Sequence, residues 1–367
     1  MYSEADLQSA IRAGAISAEA AEGLRRHAAS LRASPAVDEE QFRLITGFND
    51  VFVTIACALV IFASAAMGKA WFGGLLVAGT SWLMAEVFTL RRRMALPSIV
   101  LMLAFTIGVG TAVGAMVSDI LPRHPHTMTW QFDGKADTWT ENIHYPWQEA
   151  LISATSGLFA ALAAWAHWKR FKVAITIAAG VGGIVLLLLA ALAAATGQEL
   201  ESNTIIAPAA LVCGLAVFAF AMKWDLSDPG RKTIRADIAF WLHLLAAPLI
   251  AHPLFYWMGV TSGEEISALT ALGVIAIYLL FGLVALAVDR RALLVSALAY
   301  VLIALVALFR DSGAVEAGVA LTALIIGSAL LALSAFWSPI RSALIGNLPE
   351  SLRVRLPHSV WIGLTAG

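Results

Sequence analysis

Apolar residues in this chain are gathered into ten long runs, at about 48–67, 70–90, 95–117, 147–168, 173–197, 204–222, 236–258, 265–288, 292–309 and 314–335. Each run is close to the ~20 residues an α-helix needs to cross about 30 Å of hydrocarbon, roughly twice the length of a barrel strand. Backbone groups in lipid find no water, so helices, which satisfy them internally, are the form such runs take. The pattern predicts an all-α integral membrane protein, a bundle of about ten transmembrane helices over residues 48–335.

The polar segments between the runs are sorted by charge. Basic turns follow the even-numbered runs: Arg91 to Arg93; Lys169, Arg170 and Lys172; Lys223, Arg231, Lys232 and Arg235; Arg290 and Arg291. Of 24 Lys and Arg residues only Lys69, Arg123, Lys135 and Arg310 fall on the other set of segments, leaving 20 on this one. Glu199, Glu201, Glu264, Glu265 and Asp311 fill the opposite turns. Because cytoplasmic loops accumulate Lys and Arg, both termini are expected in the cytoplasm of a bacterium, with the chain in its inner membrane. Residues 1–47 are too polar and acidic for a signal peptide, so the first run is expected to remain as an uncleaved anchor.

Composition agrees: 60% of residues are hydrophobic and 13% charged, against about 25% charged in a soluble domain. The implied partner is membrane lipid, and nothing points to nucleic acid. Cys57 and Cys213 lie inside apolar runs, where a thiol acts as a small hydrophobe, and their spacing builds neither a disulfide framework nor a metal site.

The ends carry local signals. Residues 1–47 read as a cytoplasmic helical hairpin with a juxtamembrane helix: Ser3 and Asp6 have capping-box spacing, Gly14 is a stop, Ser17 caps a second helix and Pro35 follows its end. So small a hairpin buries little surface, so it is expected to lean on the membrane domain or on a cytoplasmic protein partner. Residues 336–367 read as a cytoplasmic interfacial helix and tail. Trp337, Ser338 and Pro339 open the helix, Ile340, Leu344 and Leu348 form its lipid-facing stripe, and Arg353 and Arg355 attract anionic lipid.

Three turns share a cadence, FTLRRRMALPSIV, WAHWKRFKVAITI and LAVDRRALLVSAL, readable as an old duplication or as what any tight basic turn between two spans looks like. Small residues four apart, Gly110, Gly114 and Ser118, then Ala179 and Gly183, suit close helix packing. The segments DLQSAIRAGAISAEAAEGL, LAVDRRALLVSALAYVLIALVALF and LSAFWSPIRSALIGNLP, with the alanine-rich spans between them, resemble a broad bacterial family of predicted polytopic membrane proteins known only as a domain of unknown function. The resemblance implies the multi-pass architecture and no catalytic or binding residue.

Chemistry is sparse. Within the extracytoplasmic segment 118–149, TMTWQF and ADTWT flank Asp133 and Gly134, a strong β-hairpin signal that sets Trp130 opposite Asp137 and Met128 opposite Trp139. Just before it, His124, His126 and Met128 alternate in what Pro122 and Pro125 mark as a loop, a combination that suits copper. His144 and His252 are expected on the same side. Inside the spans, Asn49 and Asp50 read as caps, Glu149 as a first-turn anion, and Glu86 as an acid snorkelling towards Arg91 to Arg93. The seventh run is the most polar. Asp237, Trp241 and His252 fall within about 60° on a helical wheel, with His243 pointing elsewhere, Pro248 and Pro253 interrupting the backbone, and Leu245 and Ile250 expected to face lipid.

These residues suggest a polar path through Asp237, Trp241, His243, His252 and Glu86, and hence a transporter or permease-like protein for a small solute or ion. The alternative is a scaffold or sensor that engages a partner through its N-terminal hairpin. A lipid-directed intramembrane enzyme is a third reading, but no nucleophile and base stand at recognisable spacing.

Overall fold

The computed structural model describes residues 9–24, 48–132, 135–200, 204–229, 233–260, 268–291 and 330–353, with Arg231, Leu293, Leu294 and a few isolated positions. The chain divides into two compact units, Met1–Phe42 and Arg43–Gly367.

In the first unit a helical turn over residues 9–12 ends where the sequence said it should. Gly14 takes φ +69°, Ala15 N–H reaches Ala10 O at 3.0 Å and Gly14 N–H reaches Ile11 O at 3.0 Å. This pair of bonds is the Schellman motif, open to glycine because it lacks a Cβ. Ser17 Oγ then accepts Ala20 N–H at 3.0 Å, capping the next helix.

The second unit is a multi-pass helical membrane domain with one small sheet. Its elements are α1 (Phe48–Met67), α2 (Ala70–Ala85), α3 (Ala95–Ile120), β1 (His124–Phe132), β2 (Lys135–Ile143), α4 (Pro146–Phe171), α5 (Ile175–Thr196), α6 (Ile206–Leu226), α7 (Ile234–Trp257), α8 (Ala268–Val288), α9 (Trp337–Gly346) and α10 (Glu350–Arg353). Among the described residues seven helices are long and apolar enough to span a bilayer, α1 to α7 with α2 continued by a π-helical stretch to Arg91, and α8 contains a shorter apolar helix, Leu272–Val288. The expected ninth and tenth spans lie mostly outside the described residues. Side chains such as Phe62, Leu83, Ile107, Val212 and Leu279 are largely exposed, as a lipid-facing belt requires.

Successive helices pair antiparallel, most extensively α2 with α3, α4 with α5 and α6 with α7, with α3 also against α4. Glycine sets how closely they approach. A Cβ on Gly157 of α4 would stand 2.7 Å from Gly183 O of α5, and one on Gly183 would stand 2.7 Å from Gly157 O. Gly74 and Gly108 do the same for α2 and α3. Without a hydrophobic force between helices in lipid, this close contact supplies the van der Waals attraction. Half of α7 is buried, against 17% of α1, so α7 is central and α1 peripheral.

The β-hairpin has the expected register, Met128 opposite Trp139 and Trp130 opposite Asp137. The strand, however, begins at His124 and runs through Pro125, a segment read from sequence as a loop. An edge position tolerates proline because its missing N–H faces away from the partner strand. The hairpin leaves the bundle through a polar staple: buried Gln148 accepts Tyr145 N–H at 2.8 Å and donates to Pro122 O at 3.0 Å. Beside it, His144 lies between Ser118 O and Glu149 Oε1, each at 3.1 Å.

The opposite end of the bundle, called the basic end here, gathers the tight turns. Arg93, Lys172 and Asp289 all take positive φ, at 53°, 56° and 60°. The left-handed residue falls at a different place in each of the three similar cadences. That is how independent solutions of one tight turn would look.

Candidate functional site

Side chains from two spans and from the turn after α8 meet at the basic end in a charge cluster that is almost completely buried. Asp225, one residue from the C-terminus of α6, is 1% exposed, His243 of α7 is fully buried and Arg290, just beyond α8, is 2% exposed. Arg290 forks onto the carboxylate, its Nε 3.2 Å from Asp225 Oδ2 and its Nη2 on Oδ1. His243 Nε2 meets Oδ2 at 2.9 Å, and Arg290 Nη2 also donates to Ala236 O at 3.1 Å. The planar guanidinium matches a carboxylate with two parallel bonds, which fixes geometry as well as charge. The Phe218 ring packs edge-on against the imidazole, centroids 5.1 Å apart. His243 Nδ1 is buried with no hydrogen-bond partner.

A second layer adjoins the first through the peptide bond between Asp289 and Arg290. Asp289 receives Arg231 Nη1 at 2.9 Å and Trp337 Nε1 at 2.7 Å, while Arg341 Nε lies 3.6 Å away and donates to Leu286 O at 3.0 Å. Arg231 also donates to Asp289 O at 3.0 Å. Asp228 accepts both Thr233 N–H, at 2.8 Å, and Thr233 Oγ1–H, at 2.7 Å, and Thr233 Oγ1 in turn accepts Arg235 N–H at 3.3 Å. Thr233 is therefore the N-cap of α7. Asp237 sits half-buried in the first turn.

The expected polar stripe is placed differently. Asp237 and Trp241 are half-buried and His252 is exposed near the far end of α7, about 22 Å from Asp237 at 1.5 Å per residue. The central face of α7 is the other one, carrying Ala239, Leu242, His243, Ala246 and Ala247. Leu245 and Ile250, expected to face lipid, pack instead towards Gly182 of α5 and Gly214 of α6. Glu86 stands at the start of a π-helical stretch, Glu86–Arg91, and forms two bonds, 2.9 and 2.8 Å, with Arg170 of α4 rather than with Arg91 to Arg93. A π turn shifts the following side chains round the helix, which changes the neighbour an acid can meet.

The C-terminal helix also departs from expectation. Trp337, Arg341 and Ile345 form a buried face on α9, and of the expected apolar stripe Ile340 is exposed while Leu344 and Leu348 are half-buried. The helix thus clamps the end of α8 as well as presenting an apolar side. On the hairpin, the His124 ring stacks on Tyr145 with centroids 3.8 Å apart, His126 is exposed and Met128 half-buried. Among the described residues no three His, Cys, Asp or Glu side chains converge as a metal-binding group would require.

Asp225, Asp289 and Arg290 were missed because a charged turn beside basic residues looks solvated in sequence. One signal was present: Asp225, Asp228, Asp237 and Asp289 all lie at the basic end, away from the other acidic turns. No protein-family model matches the chain, and no curated protein or solved structure is significantly similar to it.

Proposed function

We propose that this protein is a permease-like inner-membrane protein for a small solute or ion, with its basic end and both termini in the cytoplasm, and that Asp225, His243 and Arg290 close its cytoplasmic side. The burial of three ionisable side chains where three helices meet carries this reading. Burying an ion pair costs about as much as it returns, so apolar residues would hold the same helices at least as well. Polar groups within membrane spans mark functional sites by default. A cluster whose charges pair with one another when dry and that can be hydrated when the helices part is a two-state element, the requirement for alternating access. His243 Nδ1 leaves one further polar position for water or solute in the open state.

The test uses cysteine accessibility, which needs no substrate. A single cysteine at Leu242, buried beside His243, should react slowly with a small water-soluble thiosulfonate added from the cytoplasmic side, and several-fold faster when Arg290→Gln weakens the closure. A cysteine at the buried core position Ala178 should stay inert in both backgrounds. If position 242 is inert in both, the bundle does not open there, and the scaffold or sensor reading gains. That alternative draws on the N-terminal segment forming a unit of its own.

A further inference from the structure

We infer that the cleft beside Arg291 and Trp337 is a binding site for one anionic glycerophospholipid, with its phosphate on Arg291 and part of an acyl chain in the cleft. Three consecutive residues after α8 have three different partners. Asp289 joins the C-terminal helix, Arg290 joins the buried triad, and Arg291 pairs with no carboxylate among the described residues, its guanidinium carbon instead lying 5.0 Å from the centre of the Trp337 ring. That ring is itself fixed, because its Nε1 donates to Asp289. A guanidinium held near an indole ring rather than on a carboxylate retains N–H groups that can donate to a phosphate.

The space next to it suits a lipid chain. A cleft of about 190 Å³ is walled by Leu294, Leu298, Leu330 and Leu333, with Arg291 and Ser334 as its polar members. Its surroundings belong to the apolar surface: Leu331 and Phe336 are 74% and 60% exposed, and Ile340 of α9 is exposed as well. The cleft thus sits where hydrocarbon meets headgroups, with a cation that has no carboxylate partner among the described residues at the polar edge and leucines on the other side. A soluble anion would have no use for the leucines, and a zwitterionic lipid would bring its own cation to the guanidinium. Basic pockets between helices at the cytoplasmic face hold anionic headgroups for this reason. Capture of lipid here requires no transport activity.

The experiment is native mass spectrometry of the purified full chain released from micelles doped with phosphatidylglycerol or phosphatidylcholine. The parent should retain one phosphatidylglycerol and shed phosphatidylcholine. Arg291→Gln should lower retention of phosphatidylglycerol about tenfold, the weight of one charge-assisted contact to a phosphate. Ser334→Trp, which fills the cleft from an exposed position and leaves Arg291 in place, should lower it similarly, whereas Lys169→Gln, which removes a basic-end cation lying over the Trp165 ring of α4, away from this cleft, should not. Equal retention of both lipids, or none by the parent, overturns the site. An effect of Arg291→Gln without one of Ser334→Trp reduces it to general surface charge, and the reverse removes the headgroup. Displacement by excess glycerol phosphate would assign it to a soluble phosphate instead.

Discussion

Asp225→Ala is the most informative perturbation of the triad. It removes a carboxylate that holds both His243 Nε2, at 2.9 Å, and the two-pronged Arg290 contact, and it leaves a guanidinium 2% exposed without that carboxylate. Breaking a buried pair from one side costs about 3–5 kcal/mol, because the remaining charge stays desolvated. In a membrane protein the unfolded state retains some polar partners, so the lower end, about 3 kcal/mol, is expected. Arg290→Met should cost a similar amount. The double variant Asp225→Ala with Arg290→Met should cost far less than the sum, leaving a coupling of about 2 kcal/mol or more. His243→Leu should cost only about 1 kcal/mol, since Asp225 keeps its arginine fork and the unpartnered Nδ1 disappears with the ring. The assay is equilibrium unfolding of the purified protein in mixed micelles of increasing dodecyl sulfate fraction, followed by the fluorescence of its 12 tryptophans. Additive single and double variants, or an Asp225→Ala cost below about 1 kcal/mol, would refute a tightly coupled buried pair.

Further outcomes follow from topology and packing. Single cysteines at Asp133 and Ser227, treated in intact cells with an impermeant maleimide, should label only at 133; labelling at 227 alone would invert the proposed orientation. Gly157→Val should destabilise the bundle by about 1–3 kcal/mol because its Cβ would meet Gly183 O at 2.7 Å, whereas Gly79→Ala, with nothing within 4 Å, should be neutral or better; equal effects in the same unfolding assay would contradict the close approach. Glu86→Gln should leave stability almost unchanged, since Arg170 is half exposed and water screens the pair; a clear loss in the same assay would mean that this pair is shielded from solvent.

What the sequence determined by itself is what depends on local length and turn chemistry. The seven helices of spanning length, and α8 after them, begin and end within a few residues of their apolar runs, because crossing a fixed thickness of hydrocarbon sets helix length residue by residue. The hairpin register was legible because an Asp-Gly pair between alternating strands leaves few other pairings, and the Gly14 stop because few other residues accept a left-handed backbone. Tertiary structure decided the charges. Asp225 and Arg290 are 65 residues apart and Glu86 and Arg170 are 84 apart. Whether a basic turn faces water or folds inward depends on which helices lie beside it, which no periodicity encodes. For the same reason the seventh span showed its polar stripe in sequence but not its buried face: a helical wheel ranks residues by angle, and only the packing of α5, α6 and α8 around α7 made the face of His243 the inner one.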